Sequence, residues 1–110
     1  MIHLLFICSQ NKLRSPTAEH VFASWPGVSA ASAGINHGAE TPLSAEMLEW
    51  ADLVFVMEAV HRRKVSSKFR ACLGDTKLIC LGIPDNYTFM DPHLIDLLKL
   101  RVLPYLPSQH

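Results

Sequence analysis

Four apolar segments of strand length alternate with segments whose apolar residues have helical spacing. The predicted strands are Ile2 to Ile7, Val28 to Ala33, Leu53 to Met57 and Lys77 to Leu81. The first strand is a continuous apolar run, which is typical of a strand covered on both faces of a parallel sheet. This β-α-β-α-β-α-β-α order predicts one α/β domain over residues 1–110, with a four-stranded parallel sheet and helices on both faces.

Start signals place a helix after each strand. The predicted starts are Ser15-Pro16, Thr41-Pro42, about Glu58, and Asp91-Pro92. Ser15 and Asp91 are predicted N-caps, because each precedes a proline that suits the first helical position. The third helix is predicted to end near Phe69, before a turn at Gly74-Asp75.

Two loops are predicted to meet at one edge of this sheet. Ligands of parallel sheets bind beyond the carboxyl ends of the strands. The loop beginning at Cys8 leaves the first strand at that edge, and the irregular segment from Gly82 to Met90 follows the fourth strand. We therefore expect the functional site to lie where these two loops come together.

Composition argues against several classes of protein. The formal net charge is zero, whereas nucleic-acid-binding domains usually carry a basic face. The three cysteines, Cys8, Cys72 and Cys80, lack the spacing of a metal site. The apolar N-terminal run is too short to span a membrane. We therefore expect no nucleic-acid or membrane partner and no cofactor. Because free thiols are typical of cytoplasmic proteins, we expect this protein to be cytoplasmic.

The loop after the first strand has the composition of an anion site that contains a nucleophile. Backbone N–H groups before a helix N-terminus attract an anion, and the Arg14 guanidinium can bind two phosphate oxygens. The same positive field favours the thiolate of Cys8, and the Ser15 hydroxyl is placed to donate to the sulfur. The predicted substrate-binding residues are Ser9, Gln10, Asn11, Lys12, Leu13, Arg14, Ser15 and, on the second loop, Tyr87.

This loop resembles that of the low-molecular-weight protein tyrosine phosphatases. Their pattern, Cys-x2-Asn-x2-Cys-Arg-Ser followed by Pro-x-Ala-Glu, is matched at Cys8, Asn11, Arg14, Ser15, Pro16, Ala18 and Glu19. Ser32-Ala33-Gly34 and the segment from Ala51 to Met57 also resemble the family. The resemblance implies a flavodoxin-like fold and hydrolysis of phosphomonoesters, with protein phosphotyrosine as the leading substrate and inorganic phosphate as product.

The resemblance also implies a mechanism and a set of residues for it. Cys8 would attack phosphorus, Arg14 would stabilise the equatorial oxygens, and an aspartic acid would protonate the leaving oxygen. Asn11 would shape the loop, in a left-handed conformation that asparagine tolerates. Two aspartates are candidates for the acid. Asp91 has the family's Asp-Pro dipeptide but is also explained as a helix cap, so we favour Asp85, which has Tyr87 two residues later.

One departure from the family and two alternative functions remain open. The chain is shorter than a typical family member between Gly34 and Ala51, which predicts a shallower substrate pocket. Cys72 and Cys80 allow a thiol-relay arsenate reductase of the same fold, although both positions suit ordinary packing. A phosphate-binding module without catalysis is the third possibility.

One charged stretch lies outside the predicted site. His61 to Lys64 is predicted as a solvated helix face, with a docking patch for an acidic partner as the alternative.

Overall fold

The apolar N-terminal segment forms an inner strand of the sheet. The structure, a computed structural model, describes residues 1–73 and 77–106. Its strands are β1 (Ile2–Cys8), β2 (Val28–Gly34), β3 (Leu53–Val56) and β4 (Lys77–Cys80), all parallel and ordered β2-β1-β3-β4. The predicted parallel α/β fold is therefore confirmed.

Helices follow the strands in the predicted alternation. They are α1 (Arg14–Ala23), α2 (Ala45–Trp50), α3 (Ala59–Lys68), α4 (Arg70–Leu73) and α5 (Pro92–Val102), and a 3-10 helix (Leu103–Tyr105) follows α5. The short α4 was not predicted, and the predicted Gly74-Asp75 turn lies outside the described residues. In the parts of the chain that the structure describes, no helix is long and apolar enough to cross a membrane.

The two faces of the sheet carry separate apolar clusters. Alternate residues of a strand point to opposite faces. Leu4, Phe6 and Cys8 therefore belong to the cluster covered by α1 and α5, whereas Leu5 and Ile7 belong to the other cluster. Burial of each of these large side chains contributes about 1.5–3 kcal/mol, and both faces need such cover. This is why β1 is apolar throughout, and why Cys8 ends the row that faces α1 and α5.

The structure corrects two predicted helix starts. Helix α1 begins at Arg14, and Ser15 lies within its first turn instead of capping it. Its hydroxyl contacts Cys8, so a residue that fits a capping pattern serves the loop. Helix α2 begins at Ala45 after an N-cap at Ser44, because residues 41–43 pair with Gly34 at the end of β2.

The predicted start of the last helix is confirmed. Asp91 is the N-cap of α5, and its Oδ1 accepts a hydrogen bond of 2.9 Å from the backbone N–H of His93. Pro92 occupies the first helical turn, where the proline needs no N–H partner. Asp91 therefore has a complete structural role at this position.

Candidate active site

The loop between β1 and α1 surrounds the Cys8 sulfur with polar hydrogens. Cys8 is 4% exposed, and its Sγ accepts a hydrogen bond of 3.2 Å from the backbone N–H of Asn11. The Ser15 hydroxyl lies 2.9 Å from the sulfur, as predicted, and 2.9 Å from the Asn11 Oδ1. It can donate to either atom. The Asn11 N–H is therefore placed to stabilise negative charge on the sulfur, and the one Ser15 hydrogen can do so when it turns from the Asn11 Oδ1 to a thiolate.

The turn in this loop depends on the left-handed conformation of Asn11. Its φ is 58°, a region that asparagine enters more readily than most residues. The side chain is buried, and its Oδ1 accepts the hydrogen bond from Ser15. Asn11 therefore holds the loop at both ends, through its backbone N–H on the sulfur and its amide on the first turn of α1.

The segment after β2 supports the loop from behind. The backbone N–H groups of Ile35 and Asn36 donate to the carbonyls of Cys8 and Ser9, each at 3.0 Å. Gly34 is packed so closely that a Cβ there would lie 2.9 Å from the Ser9 carbonyl oxygen and would overlap Ala39. These contacts leave the carbonyls facing β2, so the opposite side of the loop can present its N–H groups to an anion.

Arg14 is anchored by one of its terminal nitrogens. It is 2% exposed, and its Nη1 donates to the Glu58 carboxylate and, at 2.7 Å, to the Ile83 carbonyl. The Nε lies 3.6 Å from the Asp85 carboxylate, too far for a hydrogen bond. Among residues 1–73 and 77–106, Nε and Nη2 have no hydrogen-bond acceptor. This edge of the guanidinium is the one that can bind two oxygens of a phosphate group.

Glu58 and His61 form a second layer of contacts behind Arg14 and Ser9. Glu58 is the N-cap of α3, and its backbone N–H donates to the His61 Nδ1 at 3.1 Å. A neutral imidazole that accepts at Nδ1 carries its proton on Nε2. The His61 Nε2 lies 2.8 Å from the Ser9 hydroxyl and therefore donates to it. That leaves the Ser9 hydroxyl hydrogen available to an acceptor in the loop.

The neutral state of His61 has a physical cause. The ring is 1% exposed, and burial lowers the pKa of His61 below its ordinary value. The positive charge of Arg14 lowers this pKa further, while Glu58 acts in the opposite direction. His61 therefore serves as a neutral donor to Ser9.

A cavity of about 200 Å³ opens above the sulfur and brings most of the predicted residues together. Its lining residues are Cys8, Ser9, Gln10, Lys12, Leu13, Arg14 and Asp85. Asp85 comes from the loop after β4, and its side chain is 62% exposed. The two loops thus meet at the carboxyl edge of the sheet, with a thiol, a guanidinium and a carboxyl group around one space.

The other predicted residues lie outside this cavity. Asp91 caps α5 and does not line it, and Tyr87 is half-buried against the cluster that α1 and α5 cover. Cys72 and Cys80 are free and pack with the cluster on the opposite face of the sheet from Cys8. The sheet therefore separates these two thiols from the Cys8 loop.

Sequence reasoning missed Glu58 and His61. The available signal was the pair itself, since Glu58 and His61 hydrogen-bond reciprocally across the first turn of α3 in the manner of a capping box. The predicted solvated face is wrong at His61, which is buried, and confirmed at Arg62, Arg63 and Lys64, which are exposed. Its hydrogen-bond partner Ser9 lies 52 residues away from His61 in sequence, a contact that no local pattern indicates.

Taken together, these elements define a parallel α/β protein with a cysteine-containing polar loop between its first strand and first helix. No protein-family model and no curated protein sequence matches the chain. Solved structures do match. The tyrosine phosphatase Wzb from Escherichia coli K30, solved in complex with phosphate, has a TM-score of 0.75 and 24% identity, covering 96% of each chain.

Two further solved structures are also similar to this chain over nearly its whole length. The low-molecular-weight protein tyrosine phosphatase from T. tengcongensis has a TM-score of 0.74 and 23% identity over 96% of this chain and 100% of its own. The arginine phosphatase YwlE, as a mutant with a phosphorylated active-site serine in place of cysteine, has a TM-score of 0.72 and 25% identity over 94% of each chain. This chain therefore has the fold of the low-molecular-weight protein tyrosine phosphatases, and the predicted resemblance is confirmed at the level of the fold.

Proposed function

We propose that this protein is a cysteine-dependent phosphomonoester hydrolase. The observation that carries the proposal is one cavity lined by Cys8, Arg14 and Asp85, in which the Asp85 carboxyl group lies 3.6 Å from the Arg14 Nε. Nucleophile, anion binder and proton donor are the three groups that phosphoryl transfer through a cysteine requires.

The proposed reaction has two displacement steps. The phosphate group binds to the loop N–H groups and to the Nε and Nη2 of Arg14, with the Ser9 hydroxyl as a further donor. The Cys8 thiolate forms an S–P bond while the bond to the leaving oxygen breaks, and Asp85 gives its proton to that oxygen. The Asp85 carboxylate then takes a proton from water, which attacks phosphorus, breaks the S–P bond and releases inorganic phosphate.

The substrate we propose is a phosphorylated protein, with phosphotyrosine as the leading phosphorylated residue. The solved structures that share the fold include tyrosine phosphatases and an arginine phosphatase. Residues 1–110 would form one domain of this kind. Free cysteines suit a reducing compartment, which supports the cytoplasm as the location.

The direct test is hydrolysis of nitrophenyl phosphate by the wild type and by Cys8→Ser. The wild type should release nitrophenol and phosphate. The serine variant should fold normally, because serine is nearly isosteric with cysteine, yet lose the activity. Full activity of Cys8→Ser would contradict the proposal. Rates of phosphate release from phosphotyrosine and phosphoarginine peptides, assayed in parallel, then identify the phosphorylated residue that the enzyme prefers.

The alternative functions make different predictions in the same assays. An arsenate reductase would consume arsenate together with a thiol donor and would lose that activity on Cys72→Ser or Cys80→Ser. The separation of these thiols from Cys8 by the sheet does not favour this relay. A binding module would retain phosphate or vanadate without turnover.

A further inference from the structure

A second groove lies beside the cavity that contains Cys8. Its volume is about 410 Å³, and it runs between the segment after β2 and helix α3. The segment after β2 contributes residues 35–37, and α3 contributes residues 60, 63, 64, 67 and 68. The helical positions recur at intervals of three and four, so they form one continuous face of α3. Arg62 lies off this face.

The groove is basic although the chain has no net charge. Its lining includes Arg63, Lys64 and Lys68, and it includes no carboxylate. All three cations are exposed, and none forms an ion pair with a carboxylate in residues 1–73 or 77–106. The Lys64 Nζ donates instead to the neutral Asn36 Oδ1 at 2.8 Å. The groove therefore presents positive charge that no carboxylate of the described residues neutralises.

The floor of the groove is apolar. Ile35 is 4% exposed at its base, and Val60 is 37% exposed on its wall. An apolar floor with cations along one side suits an extended polypeptide, whose aliphatic atoms lie on the floor while acidic side chains reach the cations. A free anion would not need that floor.

The groove adjoins the proposed catalytic cavity. Asn36 lines the groove, and its backbone N–H donates to the carbonyl of Ser9, which lines the cavity. On the other wall, Val60 lines the groove and the next residue, His61, donates to the Ser9 hydroxyl. Ser9, which lines the cavity, thus contacts residues 36 and 61 at the two sides of the groove, so the groove lies next to the Cys8 loop.

We propose that this groove binds acidic residues that flank the phosphorylated residue of a polypeptide substrate. The inference rests on the proposed function, since it concerns the substrate of the same cavity. The cations would lower KM for peptides with aspartate or glutamate beside the phosphorylated residue. Binding of this kind depends on charge and weakens as salt concentration rises.

The experiment compares two double charge reversals with the same change in net charge. Arg63→Glu with Lys68→Glu changes the groove, and neither residue lines the cavity that contains Cys8. Arg62→Glu with Arg70→Glu is the matched control, since both are exposed arginines outside the groove lining. Each protein is assayed for kcat/KM on two phosphotyrosine peptides, one with acidic flanks and one with neutral flanks.

The ratio of kcat/KM for the acidic peptide to that for the neutral peptide is the decisive quantity. In the groove variant this ratio should fall roughly tenfold, mainly through KM, because two attractive charges become repulsive. In the control variant it should stay at the wild-type value. An unchanged ratio in the groove variant, or an equal fall in both variants, would overturn the proposal.

Two further measurements separate the possible failures. Nitrophenyl phosphate is too small to reach the groove, so a wild type inactive on it would overturn the proposed function and the docking proposal with it. Activity on nitrophenyl phosphate without any preference for acidic flanks would overturn the docking proposal alone. Binding of a single-stranded oligonucleotide to the wild type is measured as well. If the groove variant abolishes this binding while its kcat/KM ratio for the two peptides stays at the wild-type value, the groove belongs to nucleic acid and the proposal is overturned.

Discussion

Asp85 and Asp91 differ in what their carboxyl groups already contact. The Asp91 Oδ1 accepts the capping hydrogen bond from His93, whereas Asp85 is exposed at the cavity and 3.6 Å from the Arg14 Nε. A general acid must reach the leaving oxygen of a bound substrate. The geometry therefore supports Asp85 in this role and leaves Asp91 a structural one.

Replacement of each aspartate by alanine should separate these roles. Asp85→Ala should lower kcat on nitrophenyl phosphate by about 10²–10⁴-fold, the usual contribution of general acid–base catalysis, with little change in stability. Asp91→Ala should cost about 0.5–2 kcal/mol of stability through the lost cap while kcat is retained. Steady-state kinetics and denaturant unfolding measure both effects. A loss of kcat confined to Asp91→Ala, with the fold intact, would reverse the assignment.

His61 should make the stability of the protein depend on pH. Burial and the charge of Arg14 lower its pKa in the folded state, whereas the unfolded chain has the ordinary value of about 6.5. The unfolded state therefore binds more protons below that pH. The stabilising contribution is fully present above about pH 6.5 and is lost as pH falls through and below this value.

This prediction is checked with His61→Asn, whose amide oxygen can replace Nδ1 as the acceptor but does not titrate. The free energy of unfolding of the wild type should decline more steeply than that of the variant as pH falls below about 6.5. His37→Asn, at an exposed histidine, serves as the control and should follow the wild type. Identical curves for all three proteins would show that His61 has no such effect.

At the scale of the elements, the Cys8 loop depends on its contact with the end of β2. Gly34 leaves room for the Ser9 and Gln10 backbone, and a methyl group there would overlap Ala39 and approach Gln10 to 3.0 Å. Backbone atoms cannot rotate away as a flexible side chain can. The loop and the strand end are therefore fitted to each other, and the loop conformation depends on a residue outside it.

Gly34→Ala should lower both stability and activity. Overpacking of this kind typically costs about 1–3 kcal/mol, and the shift of Ser9 would disturb the anion site. Gly27→Ala is a suitable control, because its φ of 75° makes alanine costly at a position that is not part of the loop. Both variants should lose stability in thermal unfolding, but only Gly34→Ala should lose kcat/KM on nitrophenyl phosphate. Equal activity of the two would contradict this account.

Much of this arrangement follows from local sequence, and the rest depends on distant contacts. The strand pattern and the spacing of Cys8 and Arg14 predict the sheet and the loop, because both are encoded by neighbouring residues. The start of α2 was predicted too early, since the segment after β2 forms a bridge with Gly34 that no local signal reveals. The partners of Arg14 were also unpredictable, because Glu58 and Ile83 come from other elements.

At the scale of the whole molecule, parallel strands place every contributor to the site at one edge. β1 supplies the cysteine loop, β3 leads into Glu58 and His61, and the segment after β4 supplies Asp85. Because these strands end at the same edge, segments that are distant in sequence lie together in one site. It also places the basic face of α3 beside the cavity, which links the proposed catalytic centre to the proposed docking groove.

The central claim is that the Cys8 sulfur accepts the phosphoryl group. The direct measurement is mass spectrometry of peptides from the wild type and Asp85→Ala, each mixed rapidly with nitrophenyl phosphate and quenched in denaturant. A phosphoryl group should appear on the peptide containing Cys8. It should accumulate more in Asp85→Ala, because nitrophenolate can leave without a proton whereas the water that releases phosphate lacks its base. Two results would contradict the account: a phosphoryl group on a residue other than Cys8, or release of nitrophenol while neither the wild type nor Asp85→Ala becomes phosphorylated.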